Sequence, residues 1–266
     1  MKRSDLVLSV RGGLAATLIA LAAAGVAAEA AAARFLVAPT PRDALAVSIL
    51  FLPEDDAALD APLADGRRRI VVTGTYTGAE EPPRPVGFAI RGGRVTNPYP
   101  GGPDGLLLVD ARGTASLHDV SDVFHDGRRF NLRRDPEAHA AFLARAEAEG
   151  LSAIQTHLLI KDGALDLREV PGARRCRRRL LFETASGDIG VFDTVDPMTL
   201  YEAAVALRAA AAPRMALNLD MGSYDYCEWR EAERVTPCGL LRRGDIGILT
   251  NVIAIEAPAA AAETAQ

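Results

Sequence analysis

The sequence predicts an α+β fold, with mixed, largely antiparallel sheets of short strands in hairpins and a few packed helices. Three observations carry this. Short apolar runs rich in Val, Ile, Leu and Phe recur along the chain, each bounded by Gly, Pro, Asp or Asn. Several of them flank tight turns such as Ala111-Arg112-Gly113, Lys161-Asp162-Gly163 and Ser186-Gly187-Asp188, which is hairpin punctuation. Helical spacing with usable caps appears only in a few places, so strands and helices do not alternate as a parallel sheet requires. With 266 residues, 49% of them hydrophobic, the chain can bury one large core, and no internal repeat is visible. One domain over 34–256 is expected.

Residues 1–30 read as a secretory signal. Lys2, Arg3 and Arg11 lead into the apolar run Leu14–Ala28, which ends in small residues suited to cleavage. The alternative is an uncleaved anchor, against which the run falls short of the roughly 20 residues of a membrane span; after cleavage no stable membrane insertion is expected. No twin-arginine pair precedes it, which points to general secretion. The expected location is periplasmic or secreted. Cleavage after Ala28 removes three cations and one acid, moving the net charge from -5 to -7. So acidic a body argues against nucleic acid as a partner.

In chain order, Phe35–Val37 and Ala46–Leu52 read as strands between prolines, and Glu54–Asp65 as a surface loop. Arg69–Tyr76 is the next strand. A proline-rich turn, Glu80–Pro85, leads into the run Val86–Gly93. Gly105–Asp110 and Thr114–His118 form a hairpin, and Asp119–Phe124 reads as a short helical turn. A helix is expected over 136–150, with Asp135 as its cap, Pro136 in the first turn and Gly150 at its end. Ala153–Ile160 and Leu165–Val170 then form a hairpin, as do Arg177–Thr184 and Ile189–Asp193. The next helix has two candidate caps, Asp196 before Pro197, or Thr199 with Glu202 as a capping box. Leu200, Ala203, Ala204, Leu207 and Ala211 share its buried face. Ile246–Ile255 is a last strand, and 257–266 a low-complexity tail expected to be disordered.

The chain is organised around Arg214–Trp229, RMALNLDMGSYDYCEW. Met215–Leu219 reads as a buried strand that ends in Asp220, followed by Gly222 and Ser223. A carboxylate, a permissive backbone and a hydroxyl are thus gathered where a strand leaves the core. Asp220 there is either a general acid/base or cation ligand, with Asn218 and Ser223 beside it, or simply the bonded residue of a tight turn. The run Arg174-Arg175-Cys176-Arg177-Arg178-Arg179 is the densest charge feature. In a strand, Arg175, Arg177 and Arg179 share one face and Arg174 and Arg178 the other. One face could grip an anion, or the run could be a solvated edge.

The residues Ala216-Leu217-Asn218-Leu219-Asp220-Met221-Gly222-Ser223 resemble the signature of the phosphodiester glycosidase family, in which an A-hydrophobic-N-L-D-G-G-G-S-S run closes the domain. The helix before it and Thr250–Ile255 after it also match the family's order, as do Pro85-Val86-Gly87 and Gly92-Gly93. The resemblance covers 44–256. It implies an exported hydrolase that cleaves a sugar-phosphodiester or related envelope glycan bond, with a glycan or glycosyl-phosphate as ligand. In that reading Asp220 and Arg178 are catalytic, Arg178 holding the anion, with Arg177 and Arg179 as neighbouring alignments. Thr73, Gly74, Gln155, His157, Asn218, Gly222 and Ser223 would bind substrate. The chain departs from the pattern at Thr73, where the family has Asn, and at Met221, where it has the first Gly. Tyr224-Asp225-Tyr226 replaces the rest of the glycine and serine run. Met221 and Tyr224 would fill the nest that glycines leave for a phosphate, and the charge of Asp225 would repel one. The alternative is therefore a catalytically inactive module of the same fold that binds an envelope glycan or a protein, with Tyr76, Tyr224, Tyr226 and Trp229 as stacking surfaces. His157 reads as a polar group of the site or as a strand-surface imidazole.

Three cysteines in an exported chain allow one disulfide. Cys227 and Cys238, which bracket a short segment, are the expected pair, unless all three are free and buried. No metal site is assigned, because the spacing of His118, Asp119, His125 and Asp126 matches no zinc pattern. The cofactor is left open, with a divalent cation as one option. No Walker loop, dinucleotide fingerprint, nucleophile elbow or Cys-x-x-Cys pair is present.

Overall fold

Strands buried on both faces read as unbroken apolar runs, and that is how this chain builds its sheets. The computed structural model describes residues 33–64 and 66–258. The expected signal over 1–30 lies outside them, as do residues 259–266 of the expected tail. Among the described residues every strand pairing is antiparallel, in three large sheets and one small hairpin.

The first sheet orders β1 (Ala33–Thr40), β14 (Ile189–Thr194), β13 (Arg179–Thr184), β15 (Pro213–Asn218), β11 (Leu158–Lys161) and β12 (Ala164–Leu165). The second orders β5 (Arg94–Asn97), β4 (Ala89–Arg91), β10 (Ser152–Thr156), β6 (Gly105–Val109) and β7 (Ala115–Asp119). The third orders β17 (Arg234–Pro237), β16 (Cys227–Glu231), β3 (Arg67–Thr73), β18 (Asn251–Pro258) and β2 (Ala46–Phe51). One face of each meets the others in a shared core, where Val72, Leu107, Ile154, Leu181, Leu217 and Ile253 are packed together.

The outer faces carry the alternate residues, and each is covered differently. α1 (Pro136–Glu149) lays Phe142 and Ala146 on Phe88, Ile90, Leu106 and Leu108 of the second sheet. α2 (Leu200–Ala211) lays Ala203, Ala204 and Leu207 on Leu180, Phe182 and Ala216 of the first. The 3-10 turns Asp56–Asp60 and Arg243–Ile248 bring Leu59 and Ile246 onto Val71, Val252 and Ala254 of the third. The caps follow the local chemistry. The Asp135 side chain accepts from the Glu137 and Ala138 amides, and Gly150 closes α1 in the left-handed region. Thr199, not Asp196, caps α2, with Glu202 completing the box.

Four expectations are corrected. The run Ala153–Ile160 is two strands, β10 and β11, which part at His157 and enter different sheets. Asp119–Phe124 is no helical turn: β8 (Val123–His125) pairs with β9 (Arg128–Phe130), and Phe130 and Val123 plug the core under α1. Ile246–Leu249 belongs to the 3-10 turn and its cap, so the last strand starts at Asn251. That strand then runs through Pro258, with Ala257 buried, so the tail begins later than residue 257.

Candidate functional site

Asn218 and Asp220 leave the end of β15 two residues apart, so their side chains project to the same side. Three neighbours hold the backbone between them. The Asn218 amide donates to the His157 carbonyl, Leu219 to Arg179 and Asp220 to Gly74, each at 2.9 Å. Thr156 adds its hydroxyl to the Asn218 carbonyl. The break between β10 and β11 is therefore useful locally: it turns the His157 carbonyl towards the departing strand.

The segment after β3 supplies the facing groups. Gly74 is buried at a point where any Cβ would lie 1.9 Å from Asn251 Oδ1, and that oxygen accepts from the Thr75 amide at 2.9 Å. A glycine is required by this close approach. Tyr76 and Thr77 follow, braced by Val86 N–H donating to the Tyr76 carbonyl at 2.9 Å and by the bridge between Thr77 and Pro85.

Asn218 Nδ2 donates to the Tyr76 hydroxyl at 2.5 Å. The Tyr76 ring meets His157 edge-on, centroids 5.4 Å apart. Burial pushes the Tyr76 phenol up to about 12, and the nearby Asp220 charge adds to this while Arg178 opposes it. Asp220 is only 7% exposed. Its Oδ1 accepts from the Met221 amide at 2.9 Å and its Oδ2 from the Thr77 amide at 3.4 Å. Burial raises its carboxyl to about 6, and those two amides only partly offset the shift. Asn218 Oδ1 and Thr77 Oγ1 are buried here without any hydrogen-bond partner. Such orphans are uncommon, because each carries an uncompensated desolvation cost.

Arg178 borders the group through its charge on Tyr76. Its Nε donates to the Met198 carbonyl at 3.1 Å and its Nη2 to the Arg174 carbonyl at 2.8 Å, and among the described residues no carboxylate pairs with it. Gly222, at φ +80°, lies on the same side, where an added Cβ would stand 3.8 Å from Arg174 Nη2. Ser223 is exposed on the 3-10 turn Gly222–Tyr224. His157 is exposed at the rim.

Two expected site residues are engaged elsewhere. Thr73 is buried, its hydroxyl donating to the Tyr224 carbonyl at 2.5 Å and accepting from the Tyr226 amide at 2.9 Å, so it ties β3 to the loop before β16. Gln155 is fully buried. Its Oε1 accepts from Phe88 N–H at 2.6 Å, and its Nε2 donates to the Gly101 and Pro103 carbonyls. Both side chains are occupied by backbone groups.

The arginine run splits only in part as its alternation predicts, since Arg177 and Arg179 share two acids whereas Arg175 leaves them for Glu202 on α2. Arg179 is wholly buried between Asp193 at 3.0 Å and Asp225 at 2.9 Å. Arg177 joins the same two acids, at 3.1 and 3.8 Å. The expectation that Asp225 repels a phosphate is thus corrected, since that carboxylate is buried and neutralised by arginines. Tyr224 likewise packs against the cluster of Leu59, Val71, Ile246 and Leu249. Cys227 and Cys238 are bonded, with their Cα atoms 4.8 Å apart, and Cys176 is free.

The sequence reading passes over Thr77, which no motif marks, since its backbone amide and its unpartnered hydroxyl reach the group only through the packing of the segment after β3. Among the described residues no cluster of three His, Cys, Asp or Glu side chains is placed to hold a metal ion. No helix among them is long and apolar enough to cross a membrane.

No family model matches the sequence, and no curated protein does. Solved structures are similar at low identity. The catalytic domain of zebrafish N-acetylglucosamine-1-phosphodiester alpha-N-acetylglucosaminidase, auto-inhibited by its pro-peptide, shares 12% identity at a TM-score of 0.48, over 84% of this chain and 81% of that one. A hypothetical protein from Synechocystis shares 11% at 0.49, over 85% and 61%. A candidate exported protein from Burkholderia pseudomallei K96243 shares 13% at 0.44, over 80% and 71%.

Proposed function

We propose that the protein is an exported hydrolase acting on a sugar linked to phosphate in the cell envelope, with Asp220, Asn218, Tyr76 and Arg178 as its working residues. The observation that carries this is the meeting of a buried carboxylate raised to about 6 with two unpartnered buried polar atoms, beside a tyrosine that feels the charge of an arginine free of acids. Asp220 accepts the proton of the attacking water. A base poised near neutrality suits that task, and a phosphate leaving group needs little help from an acid. Arg178 takes the phosphate charge, and Asn218 Oδ1 and Thr77 Oγ1 take sugar hydroxyls. Gly222, Gly74, Ser223 and His157 shape the surroundings, whereas Thr73 and Gln155 hold the scaffold. The sequence signature ending in Asp220 supports the same substrate class.

A second reading is favoured by one feature: Met221 is buried where the family signature has glycine. The chain would then bind an envelope glycan without cleaving it. Purified protein incubated with a chromogenic sugar-phosphodiester separates the two. Release of free sugar that falls by about 10²- to 10⁴-fold in Asp220→Asn supports the hydrolase. Saturable calorimetric binding with no released sugar by mass spectrometry supports the binding module.

A further inference from the structure

A cavity of about 420 Å³ lies apart from the Asp220 cluster, between the edge strand β1 and the β16–β17 hairpin, and neither Asp220, Asn218, Tyr76 nor Arg178 lines it. Register decides which side chains face it. Trp229 lies opposite Ile70 and Glu231 opposite Arg68 on one side, while Trp229 pairs with Thr236 and Glu231 with Arg234 on the other. Side chains directly opposite share a face, so Arg68, Trp229, Glu231, Arg234 and Thr236 present one surface. Arg230 also borders the hollow, but its guanidinium is held by Asp60 at 2.9 Å. Arg34 reaches the same hollow from β1.

The charges do not balance. Arg68 is matched by Glu231 at 2.7 Å. Arg34 has only Asp193, at 3.5 Å, and Asp193 with Asp225 already answers to both Arg177 and Arg179. Arg234 is exposed and forms no ion pair among the described residues. Two guanidiniums with surplus charge therefore flank a half-buried indole and a threonine hydroxyl. The disulfide from Cys227 to Cys238 closes the hairpin beneath them and fixes its geometry in advance.

We propose that this cavity binds a short saccharide bearing a carboxylate or phosphate, with its ring against Trp229 and its acid held by Arg34 and Arg234. Indole and guanidinium together suit a ring that carries an anion, and the volume is that of a small-ligand site. The chain's net charge of -5 opposes long polyanions, which favours a short anionic sugar over nucleic acid or an anionic bilayer. The proposal is independent of the role given to Asp220.

Trp229 is the chain's single tryptophan, so its emission reports on this cavity. The purified protein is titrated with trigalacturonate and with mannose 6-phosphate, with maltotriose as the neutral control, and calorimetry is run in parallel. A single-stranded oligonucleotide and phosphatidylglycerol vesicles form two further arms. At least one acidic sugar is expected to give saturable binding that maltotriose does not. Its dissociation constant should weaken about tenfold or more in both Arg34→Gln and Arg234→Gln, with the sugar-phosphodiester assay unchanged in Arg234→Gln. The proposal is overturned if neither acidic sugar gives heat or an emission change, if maltotriose binds as well, or if both variants bind like the wild type. Tighter binding of the oligonucleotide or the vesicles overturns it too, showing a general polyanion surface.

Discussion

Asp220 owes its behaviour to what surrounds it. Burial lifts its carboxyl from 3.8 to about 6, so between those values the folded chain keeps a proton that the unfolded chain has released. Stability from this group therefore falls as pH rises through that window and stays level above it. Asp220→Asn removes the penalty of the buried charge. It should raise stability by about 1–3 kcal/mol near pH 7.5 and leave it unchanged near pH 4, even as it removes activity. Urea melts at the two pH values check this, and a variant less stable near pH 7.5 would contradict it. The acid itself is legible in the sequence, because a lone Asp ends an apolar run. Its elevated pKa is not, since the burial comes from β3 and the Tyr76 segment far away in the chain.

Arg178 and Arg179 make a second contrast at this scale. Replacing Arg179 by Ala strands Asp193 and Asp225 in the core and should cost about 3–5 kcal/mol. Arg178→Ala loses two bonds to half-exposed carbonyls and should cost no more than about 1 kcal/mol, while weakening phosphate-sugar binding. Equal destabilisation in denaturant melts of the two variants would remove the distinction. The alternation of the run predicts that neighbours part company. It does not say which one faces inward, because that depends on Asp193 arriving from β14 and Asp225 from the loop before β16.

Among the elements, those whose signals are local were readable and those defined by a partner were not. Asp135, Pro136 and Gly150 mark α1 from both ends, and the apolar runs of β6, β13 and β15 declare strands buried on both faces. The split at His157 is only half marked: the polar Gln155-Thr156-His157 interrupts Ala153–Ile160, as a strand with one polar face also would, and the pairing of β10 with β6 and of β11 with β15 divides it between two sheets. The β16–β17 hairpin is polar along much of its length, so periodicity misses it, and its disulfide secures it instead. The enclosed loop spans 11 positions, and the double variant Cys227→Ser with Cys238→Ser should lose about 3 kcal/mol from the constraint on the unfolded chain. A denaturation midpoint equal to that of the wild type would show that packing of Trp229 alone holds the hairpin.

At the level of the whole molecule, three sheets share one core and leave their strand ends free to carry chemistry. Asp220 and Asn218 come from the end of β15, Tyr76 and Thr77 from beyond β3, His157 from between β10 and β11, and Arg178 from the entry to β13. Sequence patterning reaches the class of fold because alternating burial is local. It reaches only part of the site, because the meeting of four segments is a property of their packing. Thr73 and Gln155 illustrate the difference: both are polar residues near strand ends, and both side chains are consumed by backbone groups of the loops beside their own sheets.

The central claim is that Asp220 works as a base with a raised pKa. The most direct test is the pH dependence of kcat/KM for release of free sugar from a sugar-phosphodiester, measured on the wild type and on Asp220→Asn. The wild-type rate should climb through a midpoint at about 6 and level off above it, and the variant should show neither the climb nor the activity. No product at any pH, or an identical profile from the variant, would contradict the account.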